Sequence, residues 1–226
     1  MRTENLTNSN QNDRQRARRM GIAPSKSLRR HFLSLARQTR HWAHTTDKAA
    51  VRPCNVGVTS ISRGSGNSTV AYNLAVAMTS TSRSKVLLVE SDFGRHFITR
   101  RLGNARKMGL SELLSGMAES DETICETPIA NLDALGCGQV DEQICLELPF
   151  DELSSVINRS FTEYSYTIFD LPTANNLTAC YSILPALDGV ILNVEANQID
   201  QSLIARFRKS MEALNVPIIG LVINKQ

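Results

Sequence analysis

Six short apolar runs punctuate this chain at a spacing that leaves room for a helix after nearly every one, and that alternation limits its possible folds more than any other feature. The runs lie at 56–60, 86–89, 132–135, 166–170, 188–194 and 217–223. Several are apolar at consecutive positions, as in Val86, Leu87, Leu88, Val89, the pattern of a strand covered on both faces. Segments of helical period sit between them near 68–80, 95–102, 110–117, 150–162, 176–185 and 199–214. Strand and helix in alternation predict right-handed crossovers, hence an α/β fold with a mostly parallel central sheet and helices on both faces. Ligands of such folds gather beyond the carboxyl ends of the strands. Apart from the run at 132–135, residues 119–143 carry Gly, Pro and charge without a steady period.

Between the first run and the helical segment that follows it stand Arg63, Gly64, Ser65, Gly66, Asn67, Ser68 and Thr69. Strand, glycine-rich loop and helix in that order form the layout of a phosphate-binding loop, which makes the expected three-layer sandwich P-loop NTPase-like. Glycines let backbone N–H groups close around phosphate oxygens, and the helix turns the positive end of its dipole toward them. Ser68 is placed to ligate a nucleotide-bound magnesium. Asn67 stands where the lysine of such a loop belongs, offering hydrogen bonds but no charge. The site therefore either binds ATP or ADP with Mg without turning it over, or has lost the nucleotide.

Three further strand ends matter if the loop holds phosphate. The run 86–89 delivers Glu90 and Asp92, two carboxylates two residues apart, which could hold the magnesium shell or orient an attacking water. Alone, they could equally start a loop and cap the next helix. The run ending Ile168, Phe169 delivers Asp170 and is then halted by Pro172; an acid there holds a magnesium-bound water, the Walker B role. Asn224, just past the last run, has the donor and acceptor pair needed to read an adenine edge, though an Asn after a strand is also a common turn residue. The expected catalytic acids are Glu90 and Asp92. The expected metal set is Ser68, Asp92 and Asp170, and the expected nucleotide contacts are residues 63–69 and Asn224.

Charge is unevenly spread. Residues 1–50 carry a net +8 and the rest of the chain −5, a basic arm on a mildly acidic body. Residues 1–24 are polar and Arg-rich with few large apolar groups, the composition of a disordered arm. Residues 25–50 hold a basic amphipathic helix and a linker: Leu28, Phe32, Leu35, Ala36, Thr39, Trp42 and Ala43 recur at helical spacing, with Arg29, Arg30, Arg37 and Arg40 largely elsewhere on the wheel. Such a helix can lie across the domain, on a neighbouring copy, or on a membrane surface. Residues 51–226 form the P-loop NTPase-like domain. No apolar stretch reaches the roughly 18–20 residues of a bilayer span, and no secretory h-region is present. Five cysteines, odd in number and without a C-x-x-C pair, suit a reducing compartment, so the expected location is cytoplasmic.

Taken in order, these residues resemble the cytoplasmic bacterial tyrosine kinases (BY-kinases) of capsular and exopolysaccharide polymerisation, a branch of the deviant-Walker ATPases with ParA and MinD. The resemblance runs over about residues 54–225. Val58, Thr59, Ser60 match the opening strand, Arg63 to Thr69 the loop, and Asn73, Leu74, Ala75 the helix after it. Glu90, Asp92 and Arg95 match the second strand's acids and arginine, Gly109 to Gly116 the Gly-Leu-Ser segment, Asp170 and Pro172 the Walker B end, and Gly220, Val222, Asn224 the last strand. The resemblance implies an ATP- and Mg-dependent protein kinase that docks on a membrane polysaccharide co-polymerase or export protein, recruited to the inner membrane face. It implies homo-oligomerisation through residues 28–43 and makes nucleic acid an unlikely partner. The departures bear on activity: Asn67 replaces the loop lysine, Glu90 replaces an Asp, and the sequence ends at Gln226 without the family's tyrosine cluster. Tyr72, Tyr166 and Tyr181 fall within expected elements, and Tyr164 in the short turn between two of them. The expectation is a regulatory protein with a degenerate ATP site. Two alternatives stay open: a ParA/MinD-like positioning protein on DNA or membrane, and a structural pseudoenzyme that binds no nucleotide.

Overall fold

The structure, a computed structural model, describes residues 26–45, 53–81, 85–94, 96–102, 108–139, 150–174, 183–196 and 200–224. The expected arm at 1–24, Arg95, Tyr181 and most of the expected helix at 176–185 lie outside the described residues. In chain order the elements are α1 (Lys26–Thr45), β1 (Cys54–Ser60), α2 (Asn67–Thr81), β2 (Val86–Glu90), α3 (Phe97–Leu102), α4 (Leu110–Leu114), α5 (Ser120–Thr123) and β3 (Ile124–Glu126). There follow β4 (Leu132–Leu135), α6 (Phe150–Ser160), β5 (Tyr166–Asp170), a 3₁₀ turn (Leu184–Ala186), β6 (Gly189–Glu195), α7 (Gln201–Ala213) and β7 (Ile218–Asn224).

The seven strands form one sheet in the order β3-β4-β2-β5-β1-β6-β7, parallel throughout except where β3 runs against β4. Consecutive apolar residues send alternate side chains to opposite faces, so the inner strands β2, β5 and β6 each feed two cores. Val86 and Leu88 of β2, Ile168 of β5 and Ile191 of β6 join Val56 and Val58 on one face. Leu87, Val89, Phe169, Val190, Leu192 and Val194 face the other, where Leu153 and Ile157 of α6 and Phe207 and Met211 of α7 cover them.

On the first face α2 lies against the sheet and α1 lies on α2. The two layers explain why α2 carries Val70, Ala71, Leu74, Ala75 and Met78 with little polar surface: a helix covered on both sides needs apolar residues all round. Most of the stripe read from the sequence of α1 is covered here, with Phe32, Ala36, Thr39 and Ala43 buried and Leu35 and Trp42 half-buried, while Leu28 at its first turn is exposed together with Arg29, Arg30 and Arg37. Arg40 sends its guanidinium to the Thr81 carbonyl at the C-terminus of α2, where orphan carbonyls and the helix dipole both favour a cation.

Two boundaries differ from the sequence expectation for local reasons. The helix expected over 110–117 ends at Leu114, because Gly116 takes a left-handed φ of 71° and the Met117 N–H closes back on the Glu112 carbonyl at 2.8 Å. The segment without a steady period contains α5 and β3. Strand β3 is three residues long with no fully buried side chain, too short and too polar to leave an apolar run.

Candidate functional site

The parallel order places the C-terminal ends of β1, β5, β2 and β6 side by side, and the glycine loop leaves β1 among them. Gly64 and Gly66 adopt φ of 83° and 82°, the left-handed region open to glycine without steric cost. A Cβ at Gly66 would sit 2.8 Å from Asn224 Nδ2, so the loop passes directly against the end of β7. Ser65 is buried; its Oγ donates to the Ser62 carbonyl at 2.6 Å. Its carbonyl accepts from two amides, Asn193 Nδ2 at 3.0 Å and Asn224 Nδ2 at 2.8 Å. Thr59 adds a second tie by donating to the Pro172 carbonyl at 2.6 Å. Helix α2 starts at Asn67, and the Val70 N–H makes its first turn's bond to the Gly66 carbonyl at 3.0 Å. The N–H groups ahead of Val70 have no acceptor within the helix, which leaves them and the dipole's positive end directed at whatever lies beyond the loop.

Asn67 is 8% exposed, and its amide faces the sheet. Nδ2 donates to the Val58 carbonyl at 3.0 Å, the Leu171 carbonyl at 2.8 Å and Asp170 Oδ1 at 3.0 Å. Two amide hydrogens shared among three acceptors leave none for a phosphate. The expected phosphate contact at this position is thus a clamp between the loop, β1 and β5.

Asp170 is wholly buried. Burial pushes its carboxyl up to about 8 and the charges of Glu90 and Asp92 add to that, while the Ser68 hydroxyl and the Asn67 amide pull the other way. Its Oδ2 lies in the interior without a well-formed hydrogen bond. An orphan carboxylate oxygen beside a serine hydroxyl, with a second acid close enough to act on it, is a donor set that suits a hard cation such as magnesium. Asp92 is half-buried, and its Oδ1 accepts from the Gly94 N–H at 3.2 Å.

Glu90 pairs in register with Asp170 across β2 and β5, yet its carboxylate goes elsewhere. Oε1 accepts from the Ile98 N–H at 2.7 Å, and Oε2 from the Thr99 N–H at 3.2 Å and the Thr99 hydroxyl. The side chain caps the first turn of α3, which holds the carboxylate against that helix. Of the other expected contacts, Arg63 is exposed on the loop and Thr69 on the first turn of α2. Asn224 Nδ2 donates to the Ser65 carbonyl, which ties the end of β7 to the loop. Asn193 was not among the expected residues. Its signal was present: it is the single polar residue in Val190–Val194.

No family profile matches the chain. It is 25% identical to the tyrosine-protein kinase CpsD of Streptococcus agalactiae over 173 residues, 75% of this chain and 74% of that one. It is also 25% identical over 163 residues to the succinoglycan biosynthesis transport protein ExoP of Rhizobium meliloti, covering 71% of this chain and 21% of that protein. Among solved structures, the kinase domain of the Escherichia coli tyrosine kinase ETK superposes with a TM-score of 0.72 at 19% identity, over 85% of this chain and 74% of the other. The septum site-determining protein MinD of Pyrococcus horikoshii, complexed with Mg-ADP, superposes with a TM-score of 0.61 at 24% identity, over 76% and 70%. The relatives are thus bacterial tyrosine-protein kinases and a polysaccharide biosynthesis protein, and the fold is that of P-loop NTPases.

Proposed function

We propose that this protein is a BY-kinase-like regulator of exopolysaccharide or capsule biosynthesis or export, which holds Mg-ATP or Mg-ADP in a site built for occupancy and not for turnover. The observation that carries this reading is the Asn67 amide, committed to Val58, Leu171 and Asp170 where the loop of an active enzyme carries a cation. Ser68, Asp170 and Asp92 would hold magnesium, whose charge, when it is bound with the nucleotide, offsets that of the β- and γ-phosphates. The loop from Gly64 to Thr69 would cradle the phosphates with backbone N–H groups, and Asn193 and Asn224 keep that loop in place through Ser65. Glu90 positions α3 and takes no part in proton transfer. What is missing is positive charge on the transferring group, and one such stabilising contact is worth about 3–4 kcal/mol of barrier, or 10²–10³-fold in rate.

The output would be conformational. Nucleotide bound at the junction of β1, β5 and β6 sets the loop's shape, and the protein would present that shape to a membrane polysaccharide co-polymerase or export protein, with residues 28–43 as the contact between copies. The exposed arginines of α1 suit an acidic partner surface, while its apolar stripe is already occupied by α2. Calorimetric titration with Mg-ATP and a turnover assay of Asn67→Lys test the reading together. Wild type should bind Mg-ATP with turnover near background, Asp170→Ala should bind more weakly, and Asn67→Lys should raise turnover on the order of 10²-fold. No heat from wild type would remove the nucleotide from the account and leave a structural pseudoenzyme.

A further inference from the structure

Outside the nucleotide site, the described residues bring three chemically different donors to one point. Glu90 ends β2, His96 immediately precedes α3, and Cys137 lies two residues past β4. One ligand-type atom from each falls within 4.8 Å of the others. His96 Nδ1 is 2.9 Å from Cys137 Sγ, and Cys137 Sγ is 3.9 Å from Glu90 Oε2. Glu90 and Cys137 are buried and His96 is half-buried.

The local structure holds these side chains together in an unusual division of labour. His96 occupies the N-cap position of α3, since its carbonyl accepts the Arg100 N–H at 3.1 Å. A residue there ordinarily turns its own side chain onto the first turn's N–H groups. Here Glu90 does that from β2, and the His96 ring, on a backbone at φ 46°, is directed at the thiol instead. The Ile98 N–H on Oε1 and the Thr99 N–H and hydroxyl on Oε2 fix the carboxylate in the way outer hydrogen bonds orient metal-binding carboxylates.

We infer that Glu90, His96 and Cys137 form a binding site for a zinc-class divalent transition metal. Thiolate, imidazole and carboxylate together select a borderline-soft ion, and three protein ligands leave a fourth tetrahedral position for solvent, reached past the half-buried imidazole. Two anionic ligands and one neutral ligand match a double positive charge, so the buried centre carries no net charge. With Zn–S of about 2.3 Å and Zn–N or Zn–O of about 2.0–2.1 Å, tetrahedral ligand atoms lie roughly 3.5 Å apart, so the thiol and imidazole would open by about half an ångström while the thiol and carboxylate would close by somewhat less. The cation would tie β2, α3 and the loop after β4 together at the base of the turn that carries Asp92. Neither Ser68 nor Asp170 is a ligand, so the site stands or falls independently of nucleotide.

Titration of the full-length, chelator-treated and reduced protein with Co²⁺ in the absence of nucleotide reads this directly, because cobalt bound to a thiolate gives a near-ultraviolet charge-transfer band. One equivalent of Co²⁺ should produce the band, and Zn²⁺ should abolish it by competition while millimolar Mg²⁺ should not. Cys137→Ser should remove the band. His96→Asn, chosen because asparagine tolerates the left-handed backbone, should weaken cobalt binding roughly tenfold or more with the circular dichroism of the fold unchanged. The His96 variant also carries the test if Cys137→Ser does not fold. No band in wild type, a band that survives Cys137→Ser, or affinity unchanged in His96→Asn would each overturn the assignment and leave a hydrogen-bonded thiol–imidazole pair.

Discussion

Replacing Asp170 by asparagine should stabilise the metal-free, nucleotide-free protein by an amount that grows with pH. Burial, reinforced by Glu90 and Asp92, moves this carboxyl from an ordinary 3.8 to about 8 in the folded protein. In the unfolded chain it ionises near the ordinary value. Between those two values the folded state holds about one more proton than the unfolded state, so stability from this group is fully present at the acid end and falls as pH rises. The slope is about 1.4 kcal/mol per pH unit, and it levels off above about 8. Two pH units, from 5 to 7, therefore cost wild type about 2–3 kcal/mol through this residue alone. Asparagine keeps the shape, can still accept from the Asn67 amide, and has no proton to lose. Urea denaturation of both proteins in EDTA at pH 5, 6, 7 and 8 reads the effect, because titrating groups that do not interact with Asp170 cancel in the difference. The gap should widen steadily across the series. Parallel stability profiles would refute the reasoning. The same proton gives a functional signature, since magnesium on Asp170 requires the carboxylate: calorimetry at pH 7 in buffers of different ionisation enthalpy should show roughly one proton released per Mg-nucleotide bound.

The remaining predictions concern the ties that hold the loop. Asn67→Ala leaves Val58, Leu171 and Asp170 without their shared buried donor, and should lower stability by about 2–3 kcal/mol in denaturant titration; an unchanged midpoint would mean that the clamp contributes nothing. Asn193→Ala and Asn224→Ala each remove one of two donors to the Ser65 carbonyl, whereas the double variant strips it. The double variant should therefore lose at least about 0.5 kcal/mol more than the sum of the singles, and strict additivity in the cycle would argue against a shared acceptor.

Particular elements show why some of this architecture could be read from the chain and some could not. Strands β2, β5 and β6 were legible because burial on both faces demands apolar residues at consecutive positions, a local demand visible in a window of five or six residues. Edge strand β3 meets no such demand and left no trace. The glycine loop was legible as chemistry, since left-handed backbone at Gly64 and Gly66 needs glycine whatever surrounds it. Glu90 was legible as an acid at a strand end, but both roles open to it, catalyst or cap, use the same residue type. Only the position of α3 decides between them.

The amino-acid order alone determined that an alternating α/β sandwich would form, that a glycine loop would lead from β1 into α2, and that the loop would lack a lysine. Those consequences follow from side-chain polarity, period and glycine stereochemistry, which act over a few residues. Tertiary structure alone decided where polar atoms are spent: Asn67 on Asp170, Asn193 and Asn224 on Ser65, His96 on Cys137. Each of those pairs joins positions far apart in the chain that meet because β4, β2, β5, β1, β6 and β7 lie side by side in that order. A buried donor takes whichever acceptor the strand order brings within about 3 Å, and strand order is a property of the whole packed sheet.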